Sequence, residues 1–519
     1  MNMIELDGSA LHISDLAKIA SENEKVQLSH RAITAVKASH AAVVELADSN
    51  MPIYGVNTGF GIFSNKRISR DQSIDLNRNL IFSHAVATGD PLPEPIVRAA
   101  MAIRVNALAK GASGVQFAVV ETLIQMLNQG VTPLISSKGS LGSSGDLCLL
   151  AQIGLVILGN PDREESSTGQ AYYKGNKLSG KKAMESAGIE PVVFAYKDGL
   201  ALINGATFTA AIAALCLQSA YDLAVLADIA TAMTLEALCG CSYAFHPGIH
   251  ELRNMAGQQI SANHIRALIR DSSFVDNTRI LQDAYSVRCA PQVHGGVRDT
   301  LHHAKKVITA EINAATDNPL MVADGMVISG GNFHGEPIGL VSDFMKIALS
   351  ELGAISERRT FRLMDEKLNN GLPAMLVDPQ APTGLHSGVM ILQYTAAALT
   401  LENQTLASPD SVKSLPTSAN QEDHNANSYN AALHLAEISA NITKILAIEL
   451  FCAARAIHIR KKLQPDLHLG SGTQKVFDLL QEEFIYHEKD AQWRHDLEKL
   501  YALLGENSTW KKELLSVVN

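Results

Sequence analysis

A run of glycine and serine residues in the first half of the chain has the composition of a reactive turn. Residues 139–147, GSLGSSGDL, directly precede the apolar run CLLAQIGLVILG. A serine nucleophile elbow needs the spacing Gly-x-Ser-x-Gly, and a phosphate-binding loop needs Gly-Lys-Ser/Thr; the segment has neither. By itself it therefore predicts a turn at a helix start, with Ser144 or Asp146 as the N-cap.

Six further motifs carry polar and aromatic side chains of the kinds that bind and transform small molecules. Three glycines and an asparagine within eight residues exclude a helix interior at residues 54–61 and predict a loop. The motifs, in chain order, are YGVNTGFG at 54–61, NLIFSHA at 79–85, LALING at 200–205, QDAYSVRCAPQ at 282–292, the pair DNPL at 317–320 and SGGNFH at 329–334, and SANQEDH at 418–424.

Together with the glycine/serine segment, these motifs resemble in type and order those of the histidine and aromatic amino acid ammonia-lyase family, most closely its histidine enzymes. The resemblance covers roughly residues 45 to 460. It implies that Ser143, Ser144 and Gly145 cyclise and dehydrate by themselves to 4-methylideneimidazole-5-one (MIO), an electrophilic alkene. Because Gly145 lacks a Cβ, its amide nitrogen can approach the carbonyl of residue 143. No external cofactor is expected.

The sequence departs from the usual family pattern at three places close to the expected ring. Ser143 stands where the family has Ala, and Ala206 stands where Thr is common. After Glu-Asp-His the family usually continues Val-Ser-Met, whereas this chain has Asn-Ala-Asn-Ser at residues 425–428. We expect Ser143 to permit cyclisation, since its side chain stays outside the ring. The altered segment leaves an altered aromatic amino acid open as the substrate.

The implied reaction is the non-oxidative elimination of ammonia from an α-amino acid to give an arylacrylate. The amine is a poor leaving group, and the MIO ring would capture it as a covalent catalyst. Tyr54 matches the family's base for the weakly acidic β-proton. Because a phenol normally titrates near about 10, a nearby positive charge or a helix N-terminus must stabilise its ionised form.

The remaining implied roles concern substrate and ring binding. Arg288 matches the carboxylate clamp, since a planar guanidinium holds two carboxylate oxygens at once. Asn204, Gln282 and Tyr285 match the groups that hold the ring oxygen and the substrate; hydrogen bonds to that oxygen would make the alkene more electrophilic. Phe333, together with Tyr285, is expected to wall the pocket.

Substrate choice depends mainly on Glu422 and His84. Histidine ammonia-lyases resemble this chain in carrying Glu at the position of Glu422, where phenylalanine and tyrosine enzymes typically carry Gln. A carboxylate can accept a hydrogen bond from an imidazole N–H, but it is costly to bury unpaired beside a benzene ring. His84 matches a ring-recognition position and indicates a polar aromatic substrate. L-Histidine, giving urocanate, is therefore the expected substrate.

Two alternatives stay open at this point. One is a tyrosine or phenylalanine ammonia-lyase, or a 2,3-aminomutase, on the same scaffold. The other is a catalytically silent homologue, supported by Ser143 and the altered segment at 425–428.

Composition excludes several other classes of protein. The 519 residues are 46% hydrophobic and 18% charged, as in a globular chain, and the net charge is −10 without a basic run, so no nucleic acid partner is expected. We expect no secretory signal and no membrane span, and the six scattered cysteines indicate reduced thiols in the cytoplasm. His246 and His250 are separated by Pro-Gly, which breaks the helix that would align them, so no metal site is expected.

The elements predicted around these motifs are mainly α-helical. We expect a smaller mixed N-terminal lobe at residues 1–195, carrying the tyrosine loop and the ring-forming tripeptide. A bundle of long helices and C-terminal helices should follow at residues 196–519. Residues 161–190 are polar and glycine-rich and predict a hairpin or insertion. Long helices are predicted at 205–239, 297–315, 336–369, 386–407 and 426–462, from their Ala, Leu and Ile content and few helix breakers.

The broad apolar faces of these helices predict oligomerisation, because a surface helix of a monomer should show one apolar stripe. The family resemblance implies a homotetramer with dihedral symmetry, in which each active site takes residues from several subunits.

Overall fold

The structure is a computed structural model, and it describes residues 3–47, 52–63, 65–159, 164–277, 280–322, 326–382, 384–505 and 507–518. Within these ranges the chain forms nineteen α-helices and nine short strands, which confirms the predicted mainly α-helical class. The helices are α1 (Ile13–Ser21), α2 (His30–Ala47), α3 (Ser73–His84), α4 (Glu94–Ala109), α5 (Phe117–Gln129), α6 (Leu147–Ile157), α7 (Gly180–Ala187), α8 (Asp198–Ile203), α9 (Thr207–Ala237), α10 (Pro247–Arg253), α11 (Ala256–Leu268), α12 (Tyr285–Arg288), α13 (Ala290–Glu311), α14 (Glu336–Met364), α15 (Met390–Leu406), α16 (Ser428–Leu463), α17 (Ser471–Glu483), α18 (Trp493–Leu503) and α19 (Thr509–Ser516).

The strands form four small sheets. They are β1 (Ile4–Leu6), β2 (Val26–Leu28), β3 (Thr88–Pro91), β4 (Thr132–Pro133), β5 (Ser136–Lys138), β6 (Gln170–Tyr173), β7 (Asn176–Ser179), β8 (Leu320–Met321) and β9 (Val327–Ile328). Strands β1 and β2 pair in parallel, and β3 pairs with β5, β4 with β6, β6 with β7 and β8 with β9 in antiparallel fashion.

The five predicted long helices correspond to α9 and α13–α16. Helix α13 begins at Ala290, earlier than the predicted residue 297, because Pro291 in the first turn needs no backbone hydrogen-bond donor there. Helix α15 begins at Met390, later than the predicted residue 386, because Gly388 lies in the left-handed region with φ 60°. Composition therefore located these helices, and local backbone chemistry set their ends.

The predicted surface hairpin is confirmed at β6 and β7. Its two-residue turn consists of Lys174 and Gly175, both with positive φ (49° and 76°), as a type I′ turn requires. Helix α7 follows, and the Ser179 hydroxyl accepts a hydrogen bond from the Lys182 amide at its N-terminus. The first residues of the predicted segment, 161–163, lie outside the described residues.

Helix α9 is buried along most of its length, as expected for a helix that is apolar on most faces. Among the described helices it is the one long and apolar enough to cross a membrane by length and composition. However, 67% of its most apolar window is buried inside the protein, which is typical of a core helix.

Contacts divide the chain into two compact units. The first comprises residues 1–218, 305–343 and 409–433, and the second comprises residues 219–304, 344–408 and 434–519. The stretches of the two units alternate along the chain. The sequence-based division into 1–195 and 196–519 follows chain order instead and stays a prediction.

A buried ion pair in the first unit joins two segments that carry predicted site motifs. Lys197 directly precedes α8, and its ammonium contacts the carboxylate of Asp317, which opens the DNPL motif. Both side chains are 1% exposed, and Ser113 Oγ donates to the second carboxylate oxygen of Asp317 at 2.8 Å. Because both charges are buried, their attraction fixes the two segments against each other; the charges of Arg104 and Asp198 also act on Lys197.

We expect Lys197→Met to lower the free energy of unfolding by about 3–5 kcal/mol, because it leaves the Asp317 carboxylate buried and unpaired. Denaturant titration followed by circular dichroism measures the change. The matched control is Lys182→Met, which removes the exposed pair with Glu165 and should lower the free energy of unfolding far less, because water screens that pair. Equal losses for the two variants would contradict the assigned role of the buried pair.

Candidate active site

The predicted ring-forming tripeptide lies in the loop between β5 and α6, pressed against a second backbone segment. Gly145 has φ 84°, and a Cβ built on it would lie 2.1 Å from the Gly205 nitrogen, so only glycine fits. The two glycines form a parallel bridge, in which the Asp146 amide donates to the Gly205 carbonyl at 2.9 Å. The tripeptide is thus held by backbone contact with the residue that follows Asn204.

The carbonyl oxygen of Ser144 accepts two hydrogen bonds from this second segment. Asn204 Nδ2 donates to it at 2.6 Å, and the Gly205 amide lies at 3.4 Å. Asn204 is buried at the C-terminal end of α8, where it leaves the helix. The structure therefore places Asn204 at the carbonyl oxygen of the middle residue of the tripeptide.

Asp146 anchors the other end of the loop. Its carboxylate accepts hydrogen bonds from Ser140 Oγ at 2.7 Å and from the backbone and side chain of Thr209 at 2.9 and 3.2 Å. Burial raises the pKa of Asp146, against the effect of these donors. Asp146 occupies the N-cap position of α6, but its side chain does not bond the helix amides, because Ser140 and Thr209 engage it.

A cavity of about 1470 Å³ opens beside the tripeptide, and its lining comes from the first unit. The structure brings together there seven of the predicted site residues: Tyr54, His84, Ser143, Ser144, Asn204, Phe333 and Glu422. Most of the predicted site is therefore a single concave surface with polar groups converging on it, as small-molecule sites usually are.

Glu422 faces the tripeptide directly. Its Oε1 accepts a hydrogen bond from Ser144 Oγ at 2.9 Å, and its Oε2 accepts one from Thr417 Oγ1 at 2.9 Å. The backbones of Thr417 and Glu422 also pair, at 2.8 and 3.3 Å. The carboxylate is thus held at a fixed place on the cavity wall.

His84 lies on the cavity wall at the end of α3. Its Nδ1 is 2.9 Å from the Leu80 carbonyl, which can only accept, so Nδ1 carries the proton and Nε2 is an acceptor in the neutral ring. Burial lowers the pKa of His84, while the hydrogen bond to Leu80 and the negative charge of Glu422 raise it in part. At neutral pH the ring therefore presents an acceptor nitrogen.

Tyr54 lies in the predicted loop, with its hydroxyl oxygen 3.3 Å from the Gly61 amide, which donates to it. The Tyr54 ring meets the edge of the Phe60 ring at a centroid distance of 6.4 Å. The donor supplied to the phenol oxygen is thus a backbone N–H at the start of a short 3-10 helix.

Three predicted site residues, Gln282, Tyr285 and Arg288, belong to the second unit and are not part of the described cavity lining. Gln282 is exposed, as is Tyr285, which has 72% of its surface accessible. The Arg288 guanidinium stacks on the Tyr285 ring at 4.6 Å, and within the described residues its buried Nε has no hydrogen-bond partner.

Sequence reasoning missed several residues that support the site. Ser140 and Thr417 position carboxylates; Ser140 lies inside the glycine/serine segment and Thr417 directly precedes the SANQEDH motif, and neither has a further sequence signal. His334 and His424 stack with ring centroids 6.0 Å apart on the cavity wall. Both stand at the ends of identified motifs, which was the available signal.

The histidine pair considered for metal binding has structural contacts instead. The His246 ring accepts from the Gly248 amide at the start of α10, and His250 is bonded to the Ala244 carbonyl and to Gln258. Among the described residues, no group of three or more His, Cys, Asp or Glu side chains is arranged to hold a metal ion.

The chain is similar to known proteins over most of its length. The family model for aromatic amino acid lyases matches residues 11–482. The histidine ammonia-lyase of Caldanaerobacter subterraneus subsp. tengcongensis is 45% identical over 486 residues, covering 93% of this chain and 92% of the relative.

Two solved structures are similar over the full length of this chain. Tyrosine aminomutase from Streptomyces globisporus has a TM-score of 0.91 at 32% identity, with 100% of this chain and 98% of that chain covered. Histidine ammonia-lyase from Trypanosoma cruzi has a TM-score of 0.89 at 35% identity, with coverages of 100% and 96%.

We expect histidine-selective NMR titration to give His84 a pKa below the ordinary value of about 6.5, because burial disfavours its charged form. In Glu422→Gln the pKa of His84 should fall further, since the negative charge that partly raises it is gone. Asp423→Asn, which alters a carboxylate next to Glu422, is the control and should have the smaller effect. An unchanged or higher pKa in Glu422→Gln would contradict this electrostatic coupling.

Proposed function

The chain belongs to the aromatic amino acid lyase family and is a carbon–nitrogen lyase, and we propose that it eliminates ammonia from L-histidine to give urocanate. The observation that carries this choice of substrate is the position of the Glu422 carboxylate, whose Oε1 lies within hydrogen-bond distance of Ser144 Oγ on the cavity wall. A fixed carboxylate at that place suits a ring that donates an N–H, and it disfavours an unsubstituted phenyl ring.

The residues of the tripeptide fit the MIO group that the family implies. Gly145 has a φ of 84° and no Cβ, so no side chain at residue 145 hinders the approach of its nitrogen to the residue 143 carbonyl. The Ser144 carbonyl oxygen, which a ring would retain, already has its two amide donors in place. Once formed, the ring supplies an electrophilic alkene that makes the substrate amine a better leaving group.

Residues of the cavity wall are assigned substrate binding, proton transfer and polarisation of the Ser144 carbonyl. Glu422 accepts the N–H of the substrate imidazole. The acceptor nitrogen of His84 faces the same space and accepts a second N–H when the imidazole is protonated. Tyr54 accepts the β-proton, and the Gly61 amide at its oxygen stabilises negative charge there. Asn204 draws electron density towards the Ser144 carbonyl oxygen.

We assign the substrate carboxylate to Arg288, supplied together with Gln282 and Tyr285 by a neighbouring subunit. Two observations support this: the three residues lie outside the described cavity lining, and Tyr285 and Gln282 are exposed. A homotetramer with shared active sites, located in the cytoplasm and with no nucleic acid partner or membrane association, completes the proposal.

A second candidate is a tyrosine lyase or 2,3-aminomutase on the same scaffold. The acceptor nitrogen of His84 favours it, because that nitrogen can equally accept from a phenol hydroxyl. The structural likeness to a tyrosine aminomutase is a further reason to test it. An aminomutase would return the ammonia to the β-carbon, so a β-amino acid product distinguishes the two activities.

We expect Ser144→Ala to abolish turnover, because ring formation consumes the Ser144 hydroxyl. Intact-mass measurement should show two waters lost per chain in the wild type and at most one in the variant, which has no hydroxyl at residue 144 to eliminate. Ser39→Ala, which removes a buried hydroxyl bonded within α2, is the control and should keep the wild-type mass change and activity. Wild-type turnover in Ser144→Ala would refute the assigned electrophile.

A panel of L-histidine, L-tyrosine and L-phenylalanine tests the substrate. We expect ammonia and urocanate from L-histidine, and a loss of kcat/KM for L-histidine in Glu422→Gln of about tenfold to a hundredfold, the range for removing a hydrogen bond to a charged group. Activity with L-tyrosine or L-phenylalanine but not with L-histidine would sink the histidine assignment.

A further inference from the structure

Two of the positions at which this chain departs from its family pattern are in direct contact. The hydroxyl of Ser143, where Ala is usual, accepts a hydrogen bond from the Ala426 amide at 2.8 Å. Ala426 belongs to the altered segment at residues 425–428, at the position where the family usually has Ser. At this contact the chain therefore has a side-chain hydroxyl at residue 143 and none at residue 426, the reverse of the usual family pattern.

The contact is buried and directional. Ser143 is 5% exposed, and Ala426 is fully buried. The nearest acceptor for the Ser143 hydroxyl proton is the Leu141 carbonyl at 3.4 Å, a long distance for such a bond. The main hydrogen bond of this hydroxyl is therefore the one that joins the tripeptide to the segment at 425–428.

That segment follows the loop that holds Glu422, and the loop has an unfavourable backbone. Ser418, Ala419 and Asn420 all have positive φ (50°, 51° and 65°), and Asn427 has φ 47°. Left-handed conformations are unfavourable for residues with a Cβ, less so for Asn than for Ser or Ala, so the surrounding contacts must hold such a loop in place.

The loop is fixed by contacts on both sides of Glu422. Before it, Thr417 pairs with Glu422 through backbone and side chain. After it, the Asn425 amide donates to Ser414 Oγ at 2.8 Å, and the Ala426 amide donates to Ser143. The contact from Ala426 ties the segment to the tripeptide itself by a group outside the ring, and Ser428 Oγ donates to the carbonyl of Gly142, directly before the tripeptide, at 3.1 Å.

The second link between loop and tripeptide, from Ser144 Oγ to Glu422, exists only in the open tripeptide. Ring closure bonds the Gly145 nitrogen to the Ser143 carbonyl carbon; the oxygen of that carbonyl leaves as water with the amide protons of Ser144 and Gly145. Ser144 then loses its hydroxyl together with its Cα proton as a second water. Both steps are non-redox, and they leave the Ser143 hydroxyl intact.

We propose that Ser143 is a positioning residue. Its hydroxyl holds the 425–428 segment, and through that segment Glu422, beside the ring after the Ser144 hydroxyl has been lost. Loss of Ser144 Oγ frees Glu422 Oε1 for the substrate, while the tether from Ser143 to Ala426 keeps the loop from relaxing. This inference rests on the proposed function, since it assigns the geometry of Glu422 towards the bound substrate.

Ser143→Ala in the full-length protein tests the tether, with Ser39→Ala as the matched loss of a buried serine hydroxyl elsewhere in the first unit. Three measurements are made on each: intact mass, hydrogen–deuterium exchange of peptides covering residues 414–428, and kcat and KM for L-histidine. We expect Ser143→Ala to lose two waters as the wild type does. Exchange at 414–428 should be faster, and KM should rise by about five- to tenfold with a smaller change in kcat.

The outcomes distinguish failure of the tether from failure of the proposed function on which it rests. Wild-type exchange at 414–428 and wild-type KM in Ser143→Ala would overturn the tether while leaving the proposed function intact. An unmodified mass in Ser143→Ala alone would also overturn it, because the hydroxyl would then act in ring closure. An unmodified mass in the wild type would instead refute the proposed function. Equal changes in Ser39→Ala would also overturn the tether, because loss of any buried serine hydroxyl would then have the same effect.

Discussion

The contact between the backbones of Gly145 and Gly205 is the constraint on which the rest of the site depends. Neither residue has room for a side chain: a Cβ on Gly145 would meet the Gly205 backbone at 2.1 Å, and a Cβ on Gly205 would meet Arg104 Nη2 at 2.3 Å. The tripeptide is therefore held between α8–α9 and the start of α6, with Asn204 beside it. Arg104, fully buried beneath Gly205, bonds the Ala201 carbonyl and the Thr207 and Thr316 hydroxyls. Burial lowers the pKa of Arg104, and the charges of Asp317 and Asp146 oppose that effect.

Beside the contact between Gly145 and Gly205, two hydrogen-bond acceptors, Glu422 and His84, lie on the cavity wall. Glu422 is oriented by Thr417 and sits near the neutral ring of His84, so a negatively charged acceptor and an uncharged acceptor face the same space. Both can accept hydrogen bonds, which is the basis of the proposed choice of a substrate ring that donates them. In that proposal, selectivity depends on the hydrogen-bonding character of the site and on a loop held in an unfavourable backbone conformation.

Much of the fold and the core of the site could be predicted from the sequence. Helices α9 and α16 were predictable because long stretches rich in Ala, Leu and Ile have few alternatives to a buried helix. Ser144 and Asn204 were predictable because their motifs are distinctive. The left-handed residues Ser418 and Ala419 could not be predicted, since only tertiary contacts make such residues adopt positive φ. The hydrogen bond from Ala426 to Ser143 joins residues 283 positions apart, and both appeared only as isolated departures from a pattern.

The alternation of the two compact units along the chain has a consequence for protein synthesis. The first unit, which contains the cavity, takes its last segment from residues 409–433, and that segment carries Glu422 and Ala426. On the ribosome, the N-terminal part of the chain emerges first and can begin to fold. The tripeptide, however, emerges long before residues 409–433, which supply groups that contact it. A nascent chain that ends before residue 409 would therefore hold Ser143 and Ser144 without the loop that meets them, so the cavity wall can form only after residues 409–433 have emerged.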